Sequence, residues 1–202
     1  MTVFDSEQGD PAPKRGEKRR ERKTPKPLKP VTEERLQRAA LHYLERYASS
    51  AENLRRVLRR KVRRACLHHG TPPEEHEATI EAIVARCQRV GYVEDARYAE
   101  MRAATLRRRG LSRRMILAKL AEKGVAEETA LAALAETDGQ NETEGDPDEA
   151  AAHAFARRRR LGPYRREARE DRRERDMAAL ARGGFTFETA RRVIDSGADP
   201  EA

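Results

Sequence analysis

The chain has 202 residues, with 43 Lys+Arg against 35 Asp+Glu and a formal net charge of +8. Only 37% of the residues are apolar and 4% are aromatic, which argues against one large hydrophobic core and favours several small helical modules. No stretch approaches the ~20 apolar residues of a membrane span, and two cysteines, Cys66 and Cys87, are too few for a disulfide framework. We therefore expect a soluble, cytoplasmic protein.

The first part of the chain, residues 1–30, is rich in Lys, Arg and Pro and has few apolar side chains. Such a segment buries too little apolar surface to offset the entropy of ordering, so we predict a disordered basic tail. The charge reverses over 138–156, which holds six acids and no Lys or Arg. We predict an acidic linker at 138–146 and a disordered C-terminus at 197–202.

Apolar residues recur at spacings of three and four between these segments, as in Leu54, Leu58 and Val62. This spacing places them on one face of a helix, and no segment alternates apolar and polar residues as a strand does. The sequence therefore predicts an all-α fold. The nine expected helices lie at 32–48, 50–68, 73–89, 94–109, 113–123, 127–136, 147–160, 167–182 and 187–196.

Residues that start and stop helices agree with this segmentation. Ser49, Thr71 and Asp146 each precede a Glu by three residues, which predicts N-caps, with Pro72 and Pro147 at the first helical position. Glycines that can close a helix in the left-handed conformation follow the expected ends. They are Gly70, Gly91, Gly110, Gly124, Gly162, Gly183 and Gly184.

A short internal repeat divides the helices into groups. Leu120–Val125 and Leu180–Phe185 each combine a helix end, a glycine turn and one apolar residue, and each leads into Glu-Thr-Ala. We predict three tandem three-helix modules at 31–91, 92–137 and 147–196. Because each module is too small to bury much alone, neighbours should stack in an elongated, curved array.

Clusters of basic residues are the candidate contacts for a binding partner. Arg113 and Arg114 begin a predicted helix, where cations are unfavourable, so they are better candidates than Arg107–Arg109, which end one. Solvated helix faces are the alternative explanation for all of these charges. The candidate set is Arg107, Arg108, Arg109, Arg113, Arg114, Lys123, Arg157, Arg158, Arg159, Arg160, Arg165 and Arg166.

Residues that could bind a metal or catalyse a reaction form no recognisable pattern. Cys66, His68, His69, His76 and Cys87 lack the CxxC or HxxxH spacing of a metal site, and both cysteines follow apolar helical stripes. No Gly-rich phosphate loop is present, and the paired glutamates begin helices, where the helix dipole already explains them. We expect no metal, no cofactor and no catalytic residue.

The most specific part of the sequence lies between Gly91 and Val125. It contains Gly91-Tyr92-Val93-Glu94-Asp95-Ala96-Arg97-Tyr98-Ala99, then Arg108-Arg109-Gly110-Leu111-Ser112-Arg113-Arg114-Met115-Ile116, and closes with Leu120, Lys123, Gly124 and Val125. This stretch resembles the middle module of the RecX family, small cytosolic bacterial regulators of the RecA recombinase. Weaker similarity extends over 31–196, and the basic tail before Pro30 has no counterpart in the family.

The resemblance implies a monomeric, non-enzymatic regulator that binds in the helical groove of the RecA filament on single-stranded DNA. It also implies suppression of ATP hydrolysis, strand exchange and the coprotease activity that induces the SOS response, with weak direct contact to DNA and none to membranes. The competing interpretation is a helical protein whose Arg patches bind DNA or RNA directly, without a recombinase.

Overall fold

The computed structural model describes residues 29–140 and 145–197. Most of the predicted tail, the middle of the predicted linker and the residues from 198 onward lie outside the described residues. Within the described ranges the chain forms nine α-helices and no strand, which confirms the all-α class. The helices are α1 (Glu33–Leu44), α2 (Ala51–His69), α3 (Glu77–Arg89), α4 (Asp95–Arg108), α5 (Arg113–Ala121), α6 (Glu127–Gln140), α7 (Pro147–Arg159), α8 (Arg173–Arg182) and α9 (Phe187–Asp195).

Each set of three consecutive helices encloses its own hydrophobic cluster, and we call these sets modules 1, 2 and 3. The predicted apolar stripes face these clusters, because each full burial of a Leu or Ile side chain contributes about 1.5–3 kcal/mol. The core side chains include Leu54, Leu58, Ile80 and Val84 in module 1, Leu106, Ile116, Leu120 and Leu134 in module 2, and Phe155, Leu180, Val193 and Ile194 in module 3.

Two of the three predicted caps differ in the structure. The N-cap of α2 is Ser50, whose Oγ accepts the Asn53 N–H at 3.2 Å, whereas the Ser49 Oγ accepts from the Asn53 side chain. A 3-10 turn at Pro73–His76 precedes α3, so Thr71 caps no helix. Asp146 caps α7 as predicted, accepting the Asp148 N–H at 2.9 Å.

Helix α1 ends at Leu44 rather than at 48, and two further helix boundaries differ from the prediction by four residues or more. Helix α6 continues to Gln140 rather than ending at 136, because Thr137 is buried and its hydroxyl donates to the Ala133 carbonyl. The first residues of the predicted acidic linker are therefore helical. Helix α8 begins at Arg173 rather than at 167, because Ala168 is left-handed and Arg169 reaches the Ile194 carbonyl at 3.0 Å.

The contacts between successive modules repeat. At the first junction the Ser50 hydroxyl donates to the Lys123 carbonyl, and the Ala51 N–H donates to Asp95 at 2.8 Å. At the second junction the Ser112 hydroxyl donates to the Gly183 carbonyl at 2.9 Å. There the Arg113 N–H donates to Asp148 at 2.8 Å. In both cases the start of a module's second helix binds the next module along the chain.

Glycine is required where these helix starts meet the next module. Gly124 and Gly184 have φ values of +71° and +90°, and a Cβ at either position would collide with Glu52 or Ser112 of the preceding module. A side chain there would be strained in the left-handed conformation as well. The internal repeat seen in the sequence therefore marks the two module junctions.

Candidate basic interaction surface

Arg107 is buried inside the protein, which corrects its prediction as a partner contact. Its side chain is 7% exposed and bonds both oxygens of Asp138 at 2.7 Å, Asp148 at 2.5 Å and the Leu111 carbonyl at 3.1 Å. Burial acts to lower the pKa of the guanidinium, but the two carboxylates outweigh it and the pKa is raised. Arg107 thus holds α4, α6 and α7 together and is unavailable to a partner.

The other four arginines around Gly110 are exposed to solvent. Arg108 makes only a long 3.5 Å contact with Thr105, and the side chains of Arg109, Arg113 and Arg114 have no partner among the residues that the structure describes. Ser112 already caps α5 by accepting the Met115 N–H at 3.3 Å. The cationic side chains at this helix start therefore serve no capping role.

Lys123 lies at the junction between modules 1 and 2. Its carbonyl accepts the Ser50 hydroxyl, and its ammonium lies 3.4 Å from the Asn53 side-chain oxygen. The residue is half-buried. These contacts explain Lys123 as part of the module junction without any external partner.

The four arginines at the end of α7 divide into two pairs. Arg157 lies over the Tyr164 ring at 5.2 Å and Arg159 over the Phe155 ring at 4.5 Å. Such cation–π contacts contribute about 0.5–1 kcal/mol at exposed sites. Arg158 and Arg160 are exposed and have no side-chain partner within the described part of the chain. These two remain available for binding.

Tertiary packing places Gly110, which lies between the pairs Arg108/Arg109 and Arg113/Arg114, against α7. Gly110 lies against the α7 backbone, where a Cβ would come within 2.9 Å of the Ala151 oxygen and the Phe155 nitrogen. Arg158 follows Phe155 by less than one helical turn. We call the exposed set the junction surface, defined as Arg108, Arg109, Arg113, Arg114, Arg158 and Arg160.

Arg165 is also engaged within the protein, whereas its neighbour Arg166 is exposed. Arg165 forms a two-point ion pair with Asp176, with N–O distances of 2.7 and 3.0 Å, and the Gly162 N–H donates to the same carboxylate at 2.9 Å. Asp176 is 1% exposed. The pair fixes the loop after α7 onto α8, which gives Arg165 a structural role within the fold.

The Arg165–Asp176 pair should make stability depend on pH in the acid range. Burial acts to raise the pKa of Asp176, but the hydrogen bonds from Arg165 and the Gly162 N–H outweigh it and the pKa is lowered. Because its pKa is lower in the folded state, the charged carboxylate stabilises the fold above about pH 4. This stabilisation is lost as the pH falls through the pKa of the folded state. Between neutral and acid pH, wild type should lose more unfolding free energy than Asp176→Asn, as measured by urea denaturation.

The control for this measurement is the exposed residue Asp171 in the same segment. Asp171→Asn should follow the pH dependence of wild type. Parallel pH profiles for wild type and Asp176→Asn would contradict the proposed role of the buried carboxylate.

A further basic cluster, in the second half of α2, was not among the predicted contacts. Arg60, Lys61, Arg63 and Arg64 are exposed and have no side-chain partner among the described residues. The acids that pair with Arg107 and Arg165 were not predicted either; they are Asp138, Asp148 and Asp176. The α2 cluster is visible in the sequence as a run of basic residues. Whether these residues form ion pairs depends on where the acidic side chains of α3 lie, which the sequence does not give.

Both cysteines belong to the core of module 1. Cys66 is 2% exposed and Cys87 is 5% exposed, and burial raises the pKa of the Cys87 thiol. Within the described ranges no three His, Cys, Asp or Glu side chains form a group that could hold a metal ion. The same residues contain no helix long and apolar enough to cross a membrane.

Removal of metal ions should therefore leave the protein unchanged. We expect a chelator to shift neither the melting temperature nor the binding activity. Cys66→Ala and Cys87→Ala should each cost about 1–2 kcal/mol of unfolding free energy through lost packing. Zinc that survives dialysis at one equivalent and is lost in either variant would contradict this expectation.

Comparison with known proteins identifies the family. The RecX second three-helix domain matches residues 95–134, which contain α4, α5 and the Gly110 arginines. The regulatory protein RecX of Myxococcus xanthus is 44% identical over 182 residues, covering 89% of this chain and 94% of that protein. The chain belongs to the RecX family of regulatory proteins.

Other RecX proteins support the same assignment. RecX of Agrobacterium fabrum is 37% identical over 157 residues, which cover 77% of this chain and 79% of that protein. The crystal structure of RecX from Lactobacillus salivarius superposes with a TM-score of 0.57 at 18% identity, covering 80% of this chain and 94% of that one. A second RecX crystal structure gives a TM-score of 0.56, also at 18% identity, over 81% of this chain and 72% of that one. The two structures establish the shared RecX fold.

Proposed function

We propose that this RecX-family chain regulates the RecA recombinase by binding the filament that RecA forms on single-stranded DNA. The junction surface makes the main contact, with Arg166 beside it in sequence after α7. The observation that carries this proposal is that all six arginines of this surface are exposed and have no carboxylate partner among the described residues. Arg107 and Arg165, from the same sequence clusters, are instead paired with carboxylates of the protein itself.

The charges of the junction surface favour an anionic partner. Exposed cations that crowd one corner repel one another, and Arg113 and Arg114 also oppose the dipole of α5. The fold gains nothing from these two effects, whereas a negatively charged partner removes both and accelerates association. A recombinase filament on DNA combines phosphates with protein carboxylates along a continuous groove.

Binding of this kind accounts for the inhibition expected of the chain. ATP hydrolysis, strand exchange and coprotease activity each require filament subunits to rearrange or to admit another molecule to the groove. A three-module chain bound across adjacent subunits would stabilise one arrangement and occupy the groove, which suppresses all three activities. The repeated module junctions hold the three modules in a defined order along such a partner.

Sedimentation tests the proposal most directly. RecA filaments are formed on single-stranded DNA with a non-hydrolysed nucleotide, and the protein is pelleted with them or with naked DNA. We expect strong recovery with filaments and much weaker recovery with DNA alone at the same ionic strength. Equal recovery in both samples would show that RecA is not the partner.

Direct nucleic-acid binding is the alternative function, and the same exposed arginines favour it. Salt dependence separates the two, because pure phosphate binding weakens steeply and linearly in a plot of log K against log salt. A mixed interface with protein and DNA responds less. Efficient competition by RNA for the pelleted protein would favour a role with RNA over both.

A further inference from the structure

The stretch from Gly91 to Ala99 is the most specific part of the sequence, and the fold explains only some of its residues. Ala99 is buried in the core of module 2, and Asp95 accepts a backbone N–H at the first module junction. Tyr92 is 63% exposed, and Arg97 is exposed with no side-chain partner in the part of the chain that the structure describes. The fold therefore has no use for these two large side chains.

Tyr92 and Arg97 line a groove between modules 1 and 2. The groove encloses about 500 Å³, with Ala48 of the α1–α2 connection on one side and the start of α4 on the other. Tyr98 lines it as well and is 9% exposed, so it forms part of the floor. Met101, one helical turn after Arg97, is 51% exposed. The groove thus combines exposed apolar side chains with an unpaired guanidinium.

The composition of this groove differs from that of the junction surface. The junction surface consists of arginines alone, which suit phosphates and carboxylates. In the groove, Tyr92 and Met101 lie beside Arg97, and Tyr, Met and Arg are the residue types enriched at protein interfaces. Covering two large apolar side chains that water now contacts is favourable for binding. The groove therefore matches a protein surface better than a chain of phosphates.

The charges of the groove lie at different places along α4. Glu94 is at its N-terminal end, where an oxygen of its carboxylate lies 3.4 Å from the position that a Cβ at Gly91 would take. Arg97 is one turn further along the helix, next to Met101. A partner with an apolar side chain and a neighbouring carboxylate complements Met101 and Arg97 together.

One side of α4 connects the groove to the junction surface. Arg97, Met101 and Arg108 are separated by four and seven residues, so they share one side of the helix. Between them the Thr105 hydroxyl donates to the Met101 carbonyl at 2.8 Å and lies 3.5 Å from the Arg108 guanidinium. Arg97 and Arg108 are about 16 Å apart along the helix axis. A single partner lying along this side of α4 contacts both surfaces.

We propose that this groove, defined as Tyr92, Arg97, Tyr98 and Met101, holds an apolar side chain of a RecA subunit, with a carboxylate of the same subunit against Arg97. The inference rests on the proposed function and deepens it, because it adds to the junction surface a contact made with the RecA protein itself. Burial of apolar surface provides affinity that salt does not screen.

The test titrates full-length protein against RecA filaments on single-stranded DNA, and sedimentation gives an apparent dissociation constant. Tyr92→Ala/Met101→Ala should weaken binding about tenfold, with an unchanged melting temperature because both side chains are exposed in the free protein. The loss should persist as salt is raised, whereas the loss in Arg108→Ala/Arg109→Ala should shrink.

The matched control is Leu67→Ala/Phe187→Ala, which truncates two side chains outside the groove that are 88% and 73% exposed. This control should bind as wild type does. A second pair of variants tests the carboxylate of the partner. Arg97→Glu should weaken binding about fivefold, and Glu94→Gln should not weaken it.

Three results would overturn the role of the groove and leave the regulation of RecA standing. The first is equal binding of wild type and Tyr92→Ala/Met101→Ala to filaments. The second is an equal loss in the Leu67 and Phe187 control. The third is a tenfold loss for the groove variant on naked DNA as well, because the occupant would then be a base stacked on Tyr92. If wild type itself does not sediment with filaments, the proposed function fails and this inference fails with it.

Discussion

Replacing Arg107 by Ala is expected to lower the free energy of unfolding by about 3–5 kcal/mol. The substitution leaves Asp138 and Asp148, which are 15% and 21% exposed, without their cation. An unpaired carboxylate in such a place costs far more than a solvated pair gains. Urea denaturation measures the loss.

The adjacent residue supplies a matched control. Arg108 is exposed, and Arg108→Ala should change the unfolding free energy by at most about 0.5 kcal/mol. A rescue variant, Arg107→Met with Asp138→Asn and Asp148→Asn, removes all three charges, retains an acceptor for the Arg113 N–H and should restore most of the stability. Similar small losses for Arg107→Ala and Arg108→Ala would contradict the structural role of Arg107.

The Arg107 pair also connects stability to function. Asp148 belongs to α7 and accepts hydrogen bonds from both the Arg107 guanidinium and the Arg113 N–H. It therefore joins module 3 to the turn around Gly110, which contains four residues of the junction surface. Loss of Arg107 should therefore disturb the relative placement of Arg113 and Arg158. We expect Arg107→Ala to inhibit RecA less well than wild type under conditions where both proteins remain folded.

Charge reversal at Arg113 and Arg114 is expected to weaken inhibition of RecA ATP hydrolysis on the order of tenfold or more. The first turn of α5 contains no acidic residue, so Glu at these positions is favourable for the helix dipole. Repulsion between the carboxylate introduced at position 113 and Asp148 offsets part of that gain, and the melting temperature should stay close to that of wild type. Folding and inhibition are measured on the same preparation.

The control for this variant is Arg86→Glu/Arg89→Glu, which reverses two exposed charges in the last turn of α3. Acids at a helix C-terminus cost about 0.3–1 kcal/mol each, so this control should melt slightly lower and yet inhibit normally. The two variants thus separate stability from inhibition: the first loses inhibition at nearly unchanged stability, and the control loses a little stability at unchanged inhibition. If Arg113→Glu/Arg114→Glu inhibits at the wild-type concentration, the contact lies elsewhere, and Arg158 and Arg160 are the next residues to reverse.

Periodicity predicted the helices well where one apolar face packs into a module. The stripe Leu54, Leu58 and Val62 is buried, and the glycine turns at Gly70 and Gly124 adopt the expected left-handed conformation. Boundaries were wrong where a distant contact outweighs local preference. The end of α6 is extended by the burial of Thr137, and the start of α8 is delayed by the reach of Arg169 to α9.

The sequence by itself determined the helical class, the helical stripes, the excess of positive charge and its concentration in blocks, because these depend on composition and on spacings within a few residues. Only the tertiary structure decided which arginines are available. Arg107 meets acids that lie 31 and 41 residues away, and Arg165 meets one 11 residues away. Within a run of arginines no local signal distinguishes a member that faces such an acid from one that faces solvent, since the choice depends on how separate helices pack.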